Sequence, residues 1–181
     1  MAAQKLTDLD AASSVADDDQ FLVTTSPGVT PTSKKVNASV ALRISHAYIS
    51  VTGGSASQSL SATTWTKVSQ FTAEVAYDAT TTVSHANDKI TLVNSGRYMA
   101  TWTCSFTGAT TSEYRLAIYW NGSISLVPAI ITTTSTNEHS VTVTVPINAT
   151  LTSKDVEAYV YSDGANAFAV KESVLTVSRI A

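Results

Sequence analysis

The residues with the best claim to chemistry are hard-oxygen donors in two short stretches, Asn87-Asp88 and Asp163-Gly164-Ala165-Asn166. Each sets amide and carboxylate oxygens close together, a donor set suited to calcium. Asx-rich stretches also make turns by bonding their own backbone, and that is the role expected here, so no metal site is assigned. His46, His85 and His139 stand far apart, and no pair of them has ligand spacing. Gly-x-Ser-x-Gly, Gly-x-Gly-x-x-Gly, a Walker loop, His-Glu-x-x-His and Cys-x-x-Cys do not occur. A Ser/His/Asp triad assembles in space, and with so many serines its presence cannot be read from sequence. The chain is expected to be no enzyme, with no catalytic residue and no cofactor.

Cys104 has no partner for a disulfide. It lies in Thr101-Trp102-Thr103-Cys104-Ser105-Phe106, where alternation puts it on the apolar side, so a buried, inert thiol is expected. The net charge is −3 and only 14% of residues are charged, without any long Lys/Arg run. That excludes the electrostatic footprint of a nucleic-acid or anionic-membrane partner, and the pair Lys34-Lys35 reads as a solvated turn. The opening residues lack an apolar signal core and no run of 18 apolar residues occurs, so neither export by signal peptide nor a membrane span is expected, and synthesis in a cytoplasm follows. The Asn-x-Ser/Thr triplets at Asn37, Asn121 and Asn148 are then chance matches in a chain rich in Ser and Thr.

The elements that hold these residues divide the chain in two. Residues 1–45 contain Pro27, Pro31, the acidic run Asp17-Asp18-Asp19 and apolar patches too small for a core, which predicts an extended arm that orders on a partner surface. Thr7-Asp8-Leu9-Asp10 reads as the start of a short helix, and Phe21–Thr25 as a strand stopped by Ser26-Pro27-Gly28. From residue 46 to 181 the period changes to two, with turn residues every 8 to 12 positions, the pattern of an all-β sandwich. Strands are predicted at 46–52, 63–69, 71–77, 89–93, 97–107, 113–120, 123–133, 138–147, 155–162 and 167–179, enough for two facing sheets.

Three stripes are clearest: Tyr98, Ala100, Trp102, Cys104 and Phe106; Val141, Val143 and Val145; and Tyr114, Leu116, Ile118 and Trp120. The third ends at Asn121-Gly122, whose tolerance of positive φ predicts a type I′ hairpin joining 113–120 to 123–133. Several strands carry large residues on both faces: Tyr119 opposes Trp120, Met99 opposes Tyr98, and Tyr159 and Tyr161 oppose Val156, Ala158 and Val160. So much aromatic surface pointing outward predicts a partner subunit.

Four pieces in order resemble the C1q/TNF-like jelly roll: Lys89 to Tyr98 with its Gly96-Arg97-Tyr98, Leu116 to Gly122, Lys154-Asp155-Val156 with the strand after it, and Leu175 to Ala181. The likeness runs from residue 60 to 181 and implies an all-β jelly-roll sandwich that forms a homotrimer. The collagen-like stalk of the animal family is missing, so trimerisation falls to the head or the arm, and Tyr119, Tyr159 and Tyr161 are the residues expected at the three-fold axis. The arm is similar to an adaptor found at the N-termini of phage fibre and decoration proteins. The likeness lies in Lys5 to Val23, with Leu9-Asp10-Ala11-Ala12 and the acidic lead into Phe21, and in Thr32-Ser33-Lys34-Lys35.

Together the resemblances imply a virion structural protein, most simply a trimeric decoration or cement protein on the capsid surface. Leu6, Leu9, Asp17, Asp18, Asp19, Phe21 and Val23 would attach it to the phage major capsid protein. The alternative is a tail or head fibre tip, held by a tail or fibre protein, whose loops recognise a host-surface glycan or protein.

Overall fold

The computed structural model describes residues 20–25, 32–37, 46–54, 57–76, 81–124, 128–150 and 154–180, the first two segments by backbone alone. The chain divides into two units, residues 1–43 and 44–181. In the first, β1 (Gln20–Thr25) and β2 (Thr32–Asn37) pair antiparallel, from Gln20 opposite Asn37 to Thr25 opposite Thr32. The helix expected at Thr7-Asp8 lies outside the described residues.

The second unit is a sandwich of two antiparallel sheets. One has seven strands: β10 (Glu113–Trp120) and β14 (Lys154–Ser162) at its centre, β11 (Ser123–Ile124) and β12 (Ala129–Thr132) beyond β10, and β8 (Lys89–Leu92), β5 (Thr66–Lys67) and β7 (Thr81–Ser84) on the other side. The other has six: β13 (His139–Ala149), β9 (Gly96–Gly108), β15 (Ala167–Arg179), β3 (His46–Val51) and β6 (Ala73–Ala76) in order, with β4 (Ser57–Ser59) on β15. Among the described residues no helix is long and apolar enough to cross a membrane.

Alternation explains why these strands form a sandwich. Tyr98, Ala100, Trp102, Cys104 and Phe106 of β9 are fully buried, and Tyr114, Leu116 and Ile118 of β10 meet them from the facing sheet. At one end Phe106, Phe168 and Tyr114 form an aromatic knot across the sheets, with ring centroids 4.7 to 6.1 Å apart. The Cys104 thiol is buried and pushed up to about 12 by that burial, so it stays protonated and unreactive.

The hairpin at Asn121-Gly122 has positive φ at both residues, 49° and 82°, and joins Trp120 to Ser123 directly. The predicted strand 123–133 is interrupted, giving β11 and β12, which both pair with β10. Two of the other predicted runs shorten: 63–69 keeps Thr66–Lys67 and 71–77 keeps Ala73–Ala76. β4 and β7 are additions. They lack an apolar stripe of their own and exist because neighbouring strands offer backbone partners.

The large polar side chains inside the sandwich are tied down, whereas Thr81 Oγ1 and Arg179 Nε are buried without a partner among the described residues. Trp102 Nε1 donates to Ser173 Oγ at 2.8 Å. The Tyr114 hydroxyl donates to Ala167 O and accepts from Ala109 N, each at 2.9 Å. Its ring leaves no room at Gly108, where a Cβ would stand 2.6 Å from Tyr114. Beside the bulge between Val170 and Glu172, the Gln70 amide donates to Phe168 O and accepts from Val170 N. Removing one partner of a buried pair leaves the other's desolvation uncompensated. Ser173→Ala, which strands the Trp102 indole N–H, is expected to lower the unfolding free energy by about 1 to 3 kcal/mol in denaturant titration.

Candidate functional site

Period two gives each sheet an outer face, and the two faces differ. On the seven-stranded sheet, Arg115, Ala117 and Tyr119 of β10 stand opposite Tyr161, Tyr159 and Glu157 of β14. Tyr119 and Tyr159 stack, with centroids 4.4 Å apart and planes at 24°. The Arg115 guanidinium lies 4.9 Å from the centre of the Tyr161 ring, and Trp65 packs against the same ring at 5.6 Å. Ala117 points outward with Arg115 and Tyr119 yet is fully buried, which its place among these rings accounts for. The three tyrosines marked by the sequence are therefore brought to one platform. Trp65 and Arg115, which sequence reasoning passed over, complete it; the alternation that put Tyr119 outward carried the signal for Arg115 as well.

Ion pairs fix the platform's rim. Lys67 Nζ reaches Glu157 Oε1 at 2.5 Å, Lys89 Nζ reaches Asp155 Oδ2 at 3.0 Å, and Arg115 Nε reaches Glu113 Oε1 at 2.6 Å. Thr91 also donates to Asp155 Oδ1 at 2.6 Å. Partial burial pushes the Asp155 carboxyl up, but the hydrogen bonds from Thr91 and Lys89 and the charges of Lys89 and Lys67 outweigh it and hold the group below the usual carboxylate range. Where the platform meets the Asn121-Gly122 turn, Tyr119, Asn121, Gly122, Lys154, Asp155 and Glu157 line an open cleft of about 380 Å³. The Tyr119 hydroxyl donates to Gly122 O at 2.6 Å and locks its ring to the turn.

The outer face of the six-stranded sheet is of another kind. Paired hydroxyls cross it: Thr101 with Thr144 at 3.2 Å, Thr103 with Thr142 at 3.1 Å, and Ser105 with Ser140 at 2.6 Å. The rows Thr142-Thr103-Val174-Ser50 and Thr144-Thr101-Thr176-Tyr48 contain no charged residue, and Val174 is 39% exposed, while the adjoining row Ser140-Ser105-Glu172 ends on an exposed carboxylate.

The two Asx stretches are occupied by their own chain. Asn87 Nδ2 donates to Ser84 Oγ at 2.9 Å and Asn87 O accepts from Lys67 Nζ at 2.7 Å, so an ammonium already holds an oxygen that a cation would use. Burial raises the Asp88 carboxyl above its ordinary range, against the bond it accepts from Phe71 N. Asn166 Nδ2 donates to Ser112 Oγ and Ser162 Oγ, both at 3.0 Å. Among the described residues, no three His, Cys, Asp or Glu side chains converge as a metal site would require. His46 meets Ser178, His85 meets Glu74 and His139 meets Ser135 O, each in a different place. Of the arm's attachment candidates, Leu6, Leu9, Asp17, Asp18 and Asp19 lie outside the described residues, and Phe21 and Val23 are described only in the backbone of β1.

No protein-family model matches the chain, and no curated protein matches it. Solved structures do. The Eiger TNF of S. frugiperda superposes with a TM-score of 0.52 at 13% identity, over 76% of this chain and 92% of that one. Murine APRIL gives 0.51 at 12% identity, over 76% of this chain and 100% of that one. The vertex protein P5 of PRD1 gives 0.49 at 19% identity, over 76% of this chain and 97% of that one. At such identities the Eiger and APRIL superpositions concern fold alone: the sandwich is a TNF-like jelly roll, as its sequence resemblance implied.

Because Asp155 is more acidic in the fold than in the open chain, its contribution to stability is present above the ordinary Asp value and is lost as pH falls through the lowered one. Asp155→Asn is expected to flatten the fall in unfolding free energy between about pH 5 and pH 2, measured by denaturation across that range, relative to the unsubstituted protein.

Proposed function

We propose that the chain is a trimeric structural protein of a bacteriophage particle, a decoration (cement) protein. Residues 1–45 attach it to the major capsid protein, and residues 46–181 form a knob on the capsid surface. The observation that carries the trimer is the charge contrast between the two outer faces. Burying the six-stranded face desolvates hydroxyls that already pair with one another, together with Val174 and Tyr48, and strands no ion in its central rows. Burying the seven-stranded face would desolvate Lys67, Lys89, Glu113, Asp155 and Glu157, whose ion pairs return little of that cost. We therefore assign the three-fold contact to the six-stranded face, in place of Tyr119, Tyr159 and Tyr161.

The link to a particle rests on the arm's resemblance to phage adaptors. The acidic lead of that pattern runs into β1 and its Thr-x-Lys-Lys lies in β2, so the two halves of the motif pair as one hairpin. Function then follows from mass action: a trimer that binds only assembled shell stabilises that shell, and three arms on one knob gain avidity over one. The fibre-tip reading keeps one observation in its favour, the aromatic platform left facing solvent once the other face is covered.

Sedimentation tests the trimer. The chain is expected to sediment as a trimer, and the double variant Thr103→Glu/Val174→Glu as a folded monomer; a variant that stays trimeric removes the six-stranded face from the contact, and dissociation by Tyr159→Ala would return it to the tyrosines. Deleting residues 1–40 should leave the trimer but abolish attachment. Particles lacking the protein should have heads that rupture on heating or at low salt. Intact heads that fail to adsorb would favour the fibre tip.

A further inference from the structure

We infer that the cleft beside the Asn121-Gly122 turn, with the aromatic platform behind it, is a binding site for a neutral saccharide. Its floor is the Tyr119 ring, held flat by its stack on Tyr159 and locked by the hydroxyl bond to Gly122 O. A pyranose presents an apolar C–H face that needs such a preplaced aromatic plane, and a ring already immobilised loses little entropy on binding. The cleft's walls supply the polar half of the recognition. Asp155 and Glu157 are acceptors fixed by Lys89, Thr91 and Lys67, and the Asn121 amide offers both a donor and an acceptor from an exposed turn.

Charge selects the ligand class. Each carboxylate in the cleft already holds a lysine, so those pairs cancel, and Lys154 is the single further cation on the lining, one charge and not a cluster that would capture an anion. A phosphate would have to break the pairs of Lys67, Lys89 and Arg115 with Glu157, Asp155 and Glu113 to gain more than the one ammonium of Lys154. A ligand of hydroxyls satisfies fixed acceptors without bringing a charge to be desolvated. The volume, about 380 Å³, falls in the range of small-ligand clefts. The platform continues along β14 to Tyr161 and Trp65, two residues or roughly 7 Å from Tyr159, which allows a chain of sugars to lie along the strand. The site belongs to the domain alone, so it holds whether the particle role is cement or fibre.

Screening the full chain against a broad array of bacterial glycans, followed by titration of the hits with tyrosine and tryptophan fluorescence, tests this. Saturable binding to uncharged oligosaccharides is expected, with roughly micromolar to millimolar Kd. Tyr119→Ala should weaken it at least about tenfold, Glu157→Gln by a similar factor, and Tyr119→Phe, which keeps the stack, should retain most of it. Far-ultraviolet circular dichroism checks that each variant remains folded. Absence of saturable binding across the array, binding confined to anionic glycans, or binding indifferent to Tyr119→Ala would each overturn the assignment.

Discussion

The constraint on which this domain depends is that two antiparallel sheets share one apolar interior while the large polar side chains that cross it keep partners, Thr81 Oγ1 and Arg179 Nε being the buried atoms left without one among the described residues. Strands of period two supply the apolar half almost automatically, since every second residue of β9, β10, β14 and β15 turns inward. The polar half needs specific solutions. Ser173 answers the indole of Trp102, two backbone groups answer the hydroxyl of Tyr114, and Gln70 stitches the backbone beside the β15 bulge. Apart from the local bond from Ala109 N to Tyr114, these join residues 53 to 100 positions apart, so the core is closed by contacts that only the completed sandwich provides.

That division explains what could be read from the sequence. The long strands were legible because inward and outward residues differ in kind, as between Tyr98-Ala100-Trp102 and Arg97-Met99-Thr101. The Asn121-Gly122 hairpin was legible because few other dipeptides accept two positive φ values. Ser57–Ser59 and Thr81–Ser84 were not, because their strand character comes from the edges they pair with and not from their own side chains. The bulge between Val170 and Glu172 leaves no mark in the alternation that distinguishes it from an ordinary irregularity.

The candidate site was legible by half for a related reason. Alternation assigns a residue to a face, so Tyr119, Tyr159 and Tyr161 could be placed together on outward surfaces. What a residue touches on that face depends on register between strands, and register set Arg115 against Tyr161 and Tyr159 against Ala117. Trp65 was further out of reach, since it precedes a strand of only two residues and meets Tyr161 across the sheet.

Counting outward aromatics led to the expectation of a subunit contact, and the geometry separates two properties that such a count merges. Large rings on a surface do favour being covered, but what decides whether another protein covers them is the company they keep. Here the rings are partly satisfied by one another and bordered by fixed ion pairs, a surface costly to dry completely. The Thr/Ser/Val face has fewer rings and less apparent stickiness, yet drying its middle strands nothing. A sandwich with one face cheap to bury and the other costly to bury has a built-in orientation, and that is the ground on which we propose that copies meet through the first while the second stays wet for a polar ligand that leaves the ion pairs in place.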